Sequence, residues 1–293
     1  MKQVAFLCLG AMGYPMAGHL RRAGHRVSVY NRTRARAEAW VAEHGGSLAE
    51  SPAAAARDAE IVFACTGADD DLRQIAAGPD GALAGMRTGS VFVDHTTVSP
   101  GVTQELAQRA GGGGVAWLDA PVSGGEAGAQ GGALTIMVGG DADAYARVEP
   151  VLGCYGKRVL RMGEVGAGQR TKLVNQICIA GLVQALSEGL HFARRAGLDA
   201  RRVVEVISQG AAQSWQMDHR AATMLAGEFD FGFAVDWMRK DLAIALAEAR
   251  RIGAALPVTE QVDVFYAEVQ AAGRGRCDTS SLITRLDDER ARD

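Results

Sequence analysis

One lysine of this chain stands in an unusual place for a charged side chain. Lys172 follows a turn containing Gly166 and Gly168, and it lies in an apolar pattern of helical spacing that continues to about Arg195. Because this pattern is apolar on nearly every side, it predicts a buried helix. Lysines are rarely buried, and an ammonium whose pKa the protein can adjust is suited to proton transfer. Lys172 is therefore a candidate general acid/base, and Asn175 shares its face of the helix.

Lysine is scarce in this sequence, which makes its placement informative. The chain has 31 basic residues, and arginine supplies almost all of them. A compact ammonium is therefore kept at only a few positions. A plainer interpretation is that Lys172 extends from a helix end into water, and the pattern alone allows both. The four lysines are Lys2, Lys157, Lys172 and Lys240.

The first β–α turn carries a second group of candidate residues. A dinucleotide-binding turn has glycines at three fixed positions. This chain keeps Gly10 and Gly13 and has Cys8 at the first position. An ordinary turn could also contain two glycines, but an apolar strand before them and a helix after them favour a pyrophosphate site. The predicted contacts are Leu9, Gly10, Ala11, Met12 and Gly13.

The end of the second predicted strand indicates which dinucleotide is preferred. Sites for NAD place Asp or Glu there to accept hydrogen bonds from the ribose hydroxyls. This chain has Asn31, Arg32 and Thr33 instead, with two more arginines close behind. A forked guanidinium suits the 2′-phosphate of NADP in charge and in geometry. We therefore expect NADP as the cofactor, with NAD possible; the alternative is a solvated basic helix start.

A glycine-rich loop offers a place for a carboxylate. Ser123, Gly124 and Gly125 present consecutive backbone N–H groups with little side-chain obstruction. The chain has 37 glycines, so a plain loop is the alternative interpretation.

Polar residues also end two of the predicted strands. Asp94 and Asp119 fall at the carboxyl edge of the sheet, where ligands of open α/β folds bind. Aspartates at such positions also cap turns and helices, and we expect capping here. His95 has no evident partner in the sequence and is expected to be structural.

Strand and helix patterns alternate through the first half of the chain. Each strand candidate is a short apolar run, and most are followed by a segment of helical spacing. Repeated β–α units predict an α/β fold with a Rossmann-like, doubly wound and mostly parallel sheet. The strand candidates are Val4–Cys8, Arg26–Tyr30, Ile61–Cys65, Ser90–Asp94, Val115–Asp119, Leu134–Val138 and Lys157–Arg161, and the later helix candidates are Thr33–His44, Pro52–Arg57, Asp70–Ala76, Gly101–Ala110 and Asp143–Leu152.

After the last strand candidate the pattern is helical throughout. The long Lys172 helix comes first, followed by predicted helices at about 199–210, 215–226, 236–252, 257–272 and 279–291. This change predicts two domains: an NADP-binding Rossmann domain at residues 1–163, and an all-helical substrate and dimerisation domain at residues 164–293.

The composition limits the classes of function. The net charge is −3 over 293 residues and charges of both signs are interspersed, so we expect no nucleic-acid and no membrane partner. The five cysteines are odd in number and lack metal-ligand spacing, which favours free thiols in a cytoplasmic protein without a metal. A strand begins too early for a signal peptide, and no uncharged run reaches membrane-spanning length.

Four motifs together resemble one family, the β-hydroxyacid dehydrogenases, whose members include 3-hydroxyisobutyrate dehydrogenase and tartronate semialdehyde reductase. The motifs occur in the family's order, and the resemblance covers essentially the whole chain. Cys8 is the clear departure, since the family usually has glycine there. The motifs are Leu9–Ala17, Asp119–Gly125, Gly166-x-Gly168-x3-Lys172-x2-Asn175 and Lys240–Leu242.

The resemblance implies a role for each matching residue. Lys172 corresponds to the family's catalytic lysine and Asn175 to its substrate-orienting neighbour. The loop Ser123–Gly125 corresponds to the segment that holds the substrate carboxylate. Thr97 corresponds to a cofactor-contacting hydroxyl, and Lys240 to a lysine that reaches the cofactor from the helical domain.

The resemblance also implies the reaction, a hydride transfer between the nicotinamide and a short-chain 3-hydroxy acid or semialdehyde. We expect a homodimer or homotetramer, assembled through the helical domain. Two alternatives stay open. An imine reductase shares the architecture but usually lacks a lysine at position 172, and a non-catalytic dinucleotide-binding module would need no lysine there.

Overall fold

The structure is a computed structural model that describes residues 1–288. The chain divides into two compact units, Met1–Lys172 and Leu173–Asp293, which we call the sheet unit and the helical unit. The predicted domain limit between residues 163 and 164 stays a prediction. The end of the last predicted helix, residues 289–291, lies outside the described residues.

The sheet unit is built on nine strands, of which the first six are parallel and lie in the order β3-β2-β1-β4-β5-β6. Strand β8 then pairs antiparallel with β6 and β7 and parallel with β9. This is the expected doubly wound, mostly parallel sheet. The strands are β1 Gln3–Leu7, β2 Arg26–Tyr30, β3 Ser47–Leu48, β4 Ile61–Ala64, β5 Val91–Asp94, β6 Ala116–Asp119, β7 Val122–Ser123, β8 Leu134–Gly140 and β9 Gly156–Gly163.

Helices cover both faces of this sheet. Successive residues of β1 show this, because Val4 and Phe6 pack into one core cluster while Ala5 and Leu7 pack into the other. A strand buried on both faces needs an unbroken apolar sequence, which is what β1 has. The helices of the sheet unit are α1 Gly13–Arg22, α2 Arg34–His44, α3 Pro52–Ala56, α4 Asp69–Ala77, α5 Ala82–Gly85, α6 Pro100–Gly112, α7 Gly125–Gln130 and α8 Ala142–Leu152.

The helical unit begins inside the long helix α9, Ala167–Arg195. Its core includes Val183 from α9 together with Met238 and Tyr266, and all three are buried. The other helices are α10 Ala200–Ile207, α11 Trp215–Ala226, α12 Val235–Ile252, α13 Pro257–Val269 and α14 Ile283–Asp288, with a distorted helical segment Gln270–Arg274 and a 3₁₀ turn Thr279–Leu282.

The predicted burial of α9 on all sides is wrong. One face packs into the cores, but the opposite face is open, with Val174 59% and Phe192 71% exposed and Cys178 exposed between them. Nothing else in the described chain covers this face. A helix that is apolar all round therefore need not be buried within its own chain.

Helix α9 is also long and apolar enough to cross a membrane, judged by length and composition alone. It is the one helix among residues 1–288 that meets this criterion, and 44% of its most apolar stretch is buried inside the protein. Core helices of globular proteins meet the same criterion. The expected absence of a membrane partner stays a prediction.

The predicted strands and long helices are present, with ends shifted by one to three residues. Four short elements were not predicted: β3, β7, α5 and α7. Two strand residues or a single helical turn are too short to show a hydrophobic period.

Candidate functional site

The turn between β1 and α1 lies where the strand order of the sheet reverses. Strand β1 pairs with β2 on one side and with β4 on the other. The loops that follow these strands therefore leave in opposite directions, and a crevice for a ligand forms at this point. The five predicted pyrophosphate contacts, Leu9, Gly10, Ala11, Met12 and Gly13, are all in this turn or at the start of α1.

The two glycines of this turn have different uses. A Cβ at Gly13 would lie 2.1 Å from the Cys8 carbonyl oxygen, so glycine is needed for α1 to approach β1. A Cβ at Gly10 would meet nothing within 4 Å, so the backbone there is open. Cys8 has φ +72°, and it is the one non-glycine residue with positive φ among residues 1–288. Cys8 thus stands at a position of the fingerprint where a glycine would be less strained.

The start of α1 fits an anionic group. No side chain caps the helix, and its first turn contains no acidic residue. The N–H groups at a helix start carry partial positive charge, and the open backbone at Gly10 lets a ligand approach them. This turn can therefore hold a pyrophosphate.

Asn31 joins this turn to the next one. Its side-chain oxygen accepts a hydrogen bond from the Leu9 N–H (2.8 Å), and its amide donates to the Thr33 carbonyl (3.0 Å). The side chain thereby fixes the two turns that would hold the two ends of an adenosine diphosphate. The side chain of Arg32, the next residue, is 89% exposed and lies 3.8 Å from Asp71. Arg34 forms ion pairs with Glu38 of α2 and with Glu50 in the loop after β3.

Asp94 and Asp119 serve as caps, as predicted. The Asp94 carboxylate accepts a hydrogen bond from the Thr96 N–H (2.9 Å) and so shapes the loop after β5. Thr97, the predicted cofactor contact, follows in this loop. Asp119 accepts from the N–H groups of Gly166 (2.7 Å) and Gln169 (2.8 Å) at the start of α9. Burial raises the pKa of the Asp119 carboxyl to about 6, although these N–H groups act in the opposite direction.

His95 has partners that the sequence did not reveal. Its Nδ1 lies 2.7 Å from the Ala120 carbonyl oxygen and its Nε2 lies 2.8 Å from the Tyr155 hydroxyl. The ring is buried and stacked on Phe63. Burial lowers the pKa of His95 to about 4. The residue is structural, as expected.

Lys172 is buried, with 7% of its surface exposed. It lies in the second turn of α9, and Asn175 follows one turn later on the same helix. The Asn175 amide donates a hydrogen bond to the Gln176 side-chain oxygen (2.8 Å), and the Gln176 amide donates to buried Asp241 (2.7 Å). The plainer interpretation, in which Lys172 extends from a helix end into water, does not fit this degree of burial.

The loop predicted to hold a carboxylate follows β7. Ser123 pairs with Thr135 of β8, which fixes where the loop begins. Gly124 and Gly125 have φ values of +129° and +62°, a region that other residues rarely enter. Both glycines are exposed, so their backbone is accessible.

Lys240 lies on α12 in the helical unit. Its ammonium is 3.2 Å from Asp241 and 5.7 Å from the centre of the Trp237 ring. Its predicted contact with the cofactor stays a prediction. In the described part of the chain, no group of His, Cys, Asp or Glu side chains is arranged to hold a metal.

Sequence reasoning missed Gln169, Gln176 and Asp241, three buried polar residues. A usable signal was present for Gln176, because it is an amide directly before the apolar run Ile177–Ala180 of the same helix pattern. The partners of the two glutamines are 65 to 73 residues away in sequence, and no local pattern shows such pairs.

Two family models match most of the chain. The family model for the NAD binding domain of 6-phosphogluconate dehydrogenase matches residues 3–163, and the model described as NAD-binding of NADP-dependent 3-hydroxyisobutyrate dehydrogenase matches residues 166–286. The solved structure of 3-hydroxyisobutyrate dehydrogenase from Mycobacterium tuberculosis with L-serine is 31% identical. It covers 98% of this chain and 99% of that chain, with a TM-score of 0.88.

The chain belongs to the β-hydroxyacid dehydrogenase family.

This β-hydroxyacid dehydrogenase is therefore an NAD(P)-dependent oxidoreductase that acts on CH–OH groups of small molecules. An uncharacterised oxidoreductase from Shewanella frigidimarina is 57% identical over 99% of this chain and 100% of its own length. The structure of Psf3 in complex with NADP+ and 2-OPP is 26% identical, with a TM-score of 0.87 over 97% of this chain and 99% of that chain.

Proposed function

We propose that this β-hydroxyacid dehydrogenase transfers a hydride between NADP(H) and a short-chain 3-hydroxy acid or its semialdehyde, with Lys172 as the general acid/base. The burial of Lys172 next to the carboxyl edge of the sheet is the observation that supports this role. Burying an ammonium is costly, so a lysine here calls for a function. The name of the M. tuberculosis relative supports a 3-hydroxy acid as substrate.

Lys172 would move the proton that accompanies the hydride. The nicotinamide, when bound, supplies or accepts the hydride. In reduction, the Lys172 ammonium would donate a proton to the oxygen on which charge develops. In oxidation, the neutral amine would take the proton from the substrate hydroxyl. The amide of Asn175, held by Gln176, would orient the substrate hydroxyl or the lysine.

The loop formed by Ser123, Gly124 and Gly125 would hold the substrate carboxylate. Its two glycines expose backbone N–H groups, and a Cβ at Gly125 would meet nothing within 4 Å. An anion can therefore approach the backbone, which suits a small carboxylic acid.

NADP is the proposed cofactor, bound at Leu9–Gly13, Thr97 and the Asn31–Thr33 turn. The first turn of α2 contains no acidic residue that would repel a 2′-phosphate. Arg32 is 89% exposed and has one long ion pair, 3.8 Å from Asp71, whereas Arg34 is held by two glutamates. Arg32 is thus the guanidinium best placed to receive the phosphate, and the NADP+ in the Psf3 structure supports this choice. Lys240 is proposed to contact the same cofactor.

The protein is further proposed to act in the cytoplasm as a homodimer or homotetramer. All five cysteines lie in the described part of the chain and none forms a disulfide, which fits a reducing compartment. The open apolar face of α9 supports association through the helical unit.

Replacing Lys172 tests the proposed mechanism. Lys172→Met keeps the length of the side chain but removes the proton donor, so turnover should fall by roughly 10²–10⁴-fold while NADPH affinity changes little. Lys172→Arg should fail almost as badly, because a guanidinium does not give up its proton near neutral pH. A folded Lys172→Met protein with turnover within a few-fold of the parent would contradict the mechanism.

A substrate panel tests the proposed substrate class. Short-chain 3-hydroxy acids, their semialdehydes and cyclic imines are assayed with NADPH and NADH, or with the oxidised cofactors. Turnover of an acid or semialdehyde bearing a free carboxylate should exceed that of its methyl ester. Preference for an imine would favour the imine reductase alternative.

A further inference from the structure

The start of α9 is held by a carboxylate from a distant strand. Asp119 is fully buried at the end of β6, and its two oxygens accept from the N–H groups of Gly166 and Gln169 (2.7 and 2.8 Å). The first N–H groups of a helix have no partner within the helix. Asp119 thus supplies from strand β6 what a neighbouring cap residue usually supplies.

A second side chain ties the same helical turn to another strand. Gln169 is fully buried, and its oxygen accepts from the Val98 N–H (3.2 Å) while its amide donates to the Thr96 carbonyl (2.7 Å). Both partners are in the loop that follows β5. The first turn of α9 is therefore joined to the carboxyl ends of two adjacent strands, β5 and β6.

Two glycines allow this close approach. A Cβ at Gly168 would lie 2.4 Å from the Met137 carbonyl oxygen and 2.9 Å from the Asp119 carboxylate. A Cβ at Gly139 would lie 2.6 Å from the same carboxylate. The helix start and the sheet edge are in contact, with no room for a side chain at either glycine. This explains why Gly168 belongs to the motif that leads to Lys172.

We propose that Asp119 and Gln169 are positioning residues that hold Lys172 at the reacting end of the sheet. Lys172 is three residues beyond Gln169, so its backbone lies one helical turn from the anchored N–H groups. Thr97 lies between the two residues that Gln169 binds, so this one side chain also fixes the loop that carries Thr97. The inference rests on the proposed role of Lys172 as proton donor.

The chemistry of the carboxylate supports this role. Burial raises the pKa of Asp119 to about 6 and the N–H groups at the start of α9 oppose this rise, so the buried carboxylate depends on these donors to stay charged near neutral pH. A negative charge next to the start of a helix is stabilised by the helix dipole and by direct N–H donors. The Asp119 carboxylate and the first N–H groups of α9 therefore satisfy each other, and removing the carboxylate leaves these N–H groups without their acceptor.

The substitution Asp119→Asn tests the anchor. An amide can accept from one of the two N–H groups, but its NH₂ group would face the other donor. We expect kcat to fall on the order of 10–100-fold, since a displacement of about 1 Å at a reacting group has such an effect. The KM for NADPH should change less than threefold. Amides of residues 164–172 should exchange with deuterium at least threefold faster in the protein without cofactor, which is a readout independent of turnover.

Asp141→Asn is the matched control. Asp141 also caps a helix of the sheet unit, accepting from the Ala144 N–H at the start of α8 (2.8 Å). Because Asn caps a helix start about as well as Asp does, this variant should leave the melting temperature, kcat and exchange in residues 164–172 nearly unchanged. If Asp141→Asn lowers kcat as much as Asp119→Asn, the effect is one of general stability and the proposal is wrong.

Gln169→Met is a second variant, useful if Asp119→Asn does not fold. It keeps side-chain length and volume but removes both hydrogen bonds to the β5 loop. A fall in kcat together with faster exchange in residues 96–98 and 164–172 supports the proposal, and a kcat within twofold of the parent overturns it.

Lys172→Met separates the positioning role of Asp119 and Gln169 from the proposed function of Lys172. If that variant loses turnover while both anchor variants keep it, only the positioning role fails; if it keeps turnover, the proposed function itself fails.

Discussion

The sheet unit and the helical unit differ in what they leave exposed. Among the described residues, fifteen large apolar side chains are exposed, and only Met1, Leu160 and Met162 of these belong to the sheet unit. The other twelve are in the smaller helical unit: Val174, Leu182, Phe192, Leu198, Val206, Ile207, Trp215, Phe231, Trp237, Ile252, Val258 and Val264.

This difference shows that the two units reach a stable fold in different ways. The sheet unit covers both faces of its sheet with its own helices and exposes mainly polar side chains, such as Arg32. The helical unit has a core of its own but leaves apolar stripes uncovered. Exposure of this extent on a protein surface marks an interface. The sheet unit thus covers its apolar surface within one chain, whereas the helical unit leaves apolar surface open for the partner copy proposed above.

The largest expected effect on assembly would come from placing a charge on the open face of α9. Phe192→Asp should weaken association by more than about 30-fold, because burying an aspartate in an apolar interface costs about 2 kcal/mol or more. Sedimentation velocity across a concentration series would measure this. Met162→Asp, on an exposed apolar side chain of the sheet unit, is the control and should leave assembly intact. A parent protein that is monomeric at every concentration tested would remove the contrast between the units.

A second prediction concerns the interior of the sheet unit. The pKa of His95 is lowered from 6.5 to about 4 in the folded protein. Between these pH values the unfolded chain binds a proton that the folded protein does not, so stability is lost as the pH falls from about 6.5 towards 4. The loss amounts to about 3 kcal/mol. His95→Gln should lack this component, which urea unfolding across that pH range would measure as a shallower acid slope. Parallel slopes for parent and variant would contradict it.

The third prediction uses the exposed arginine of the sheet unit. Arg32→Asp should lower the preference for NADPH over NADH by roughly 10–100-fold, since a charged hydrogen bond contributes about 1.5–3 kcal/mol. The ratio of kcat/KM for the two cofactors measures it. Arg109→Asp, the same charge change at the end of α6, should leave the ratio unchanged. Equal kcat/KM with both cofactors in the parent would show that Arg32 does not select NADPH.

The smallest expected effect is at the first turn. Cys8 occupies a positive-φ position, which costs a non-glycine residue about 1 kcal/mol. Cys8→Gly should therefore raise the melting temperature by a few degrees or tighten NADPH binding modestly, without any change in assembly. Thermal unfolding and fluorescence titration measure both. A clear loss in either would mean that the packing of the thiol under the turn outweighs its strain.

Much of the fold could be predicted from the sequence, because β1, β4, β5 and β6 are short runs whose buried residues stand next to one another in sequence, and in β2 buried valines alternate with less buried residues. The long apolar pattern of α9 predicted a helix that continues to about Arg195, where it ends. Segments as short as β7 and α7 have no such pattern, and they were missed.

The candidate site was predictable only in part. Lys172, Asn175 and the glycines before them form a motif that is local in sequence, and this motif was recognised. The anchor is not local: Asp119 reaches Gly166 across 47 residues and Gln169 reaches Thr96 across 73. The open face of α9 was misjudged because the hydrophobic period shows which residues are apolar, and it does not show which of them the rest of the chain covers.

The cysteine at the first turn has a consequence for oxidative stress. Thiols react with peroxides and alkylating agents as thiolates. Burial, together with the nearby carboxylates of Asp71 and Asp94, raises the pKa of Cys8 to about 12 even though Arg32 acts in the opposite direction. At cellular pH the sulfur is therefore almost entirely protonated. Cys8 is thus a poor nucleophile, and the turn proposed to bind the cofactor should keep its function under peroxide concentrations that inactivate enzymes with reactive cysteines.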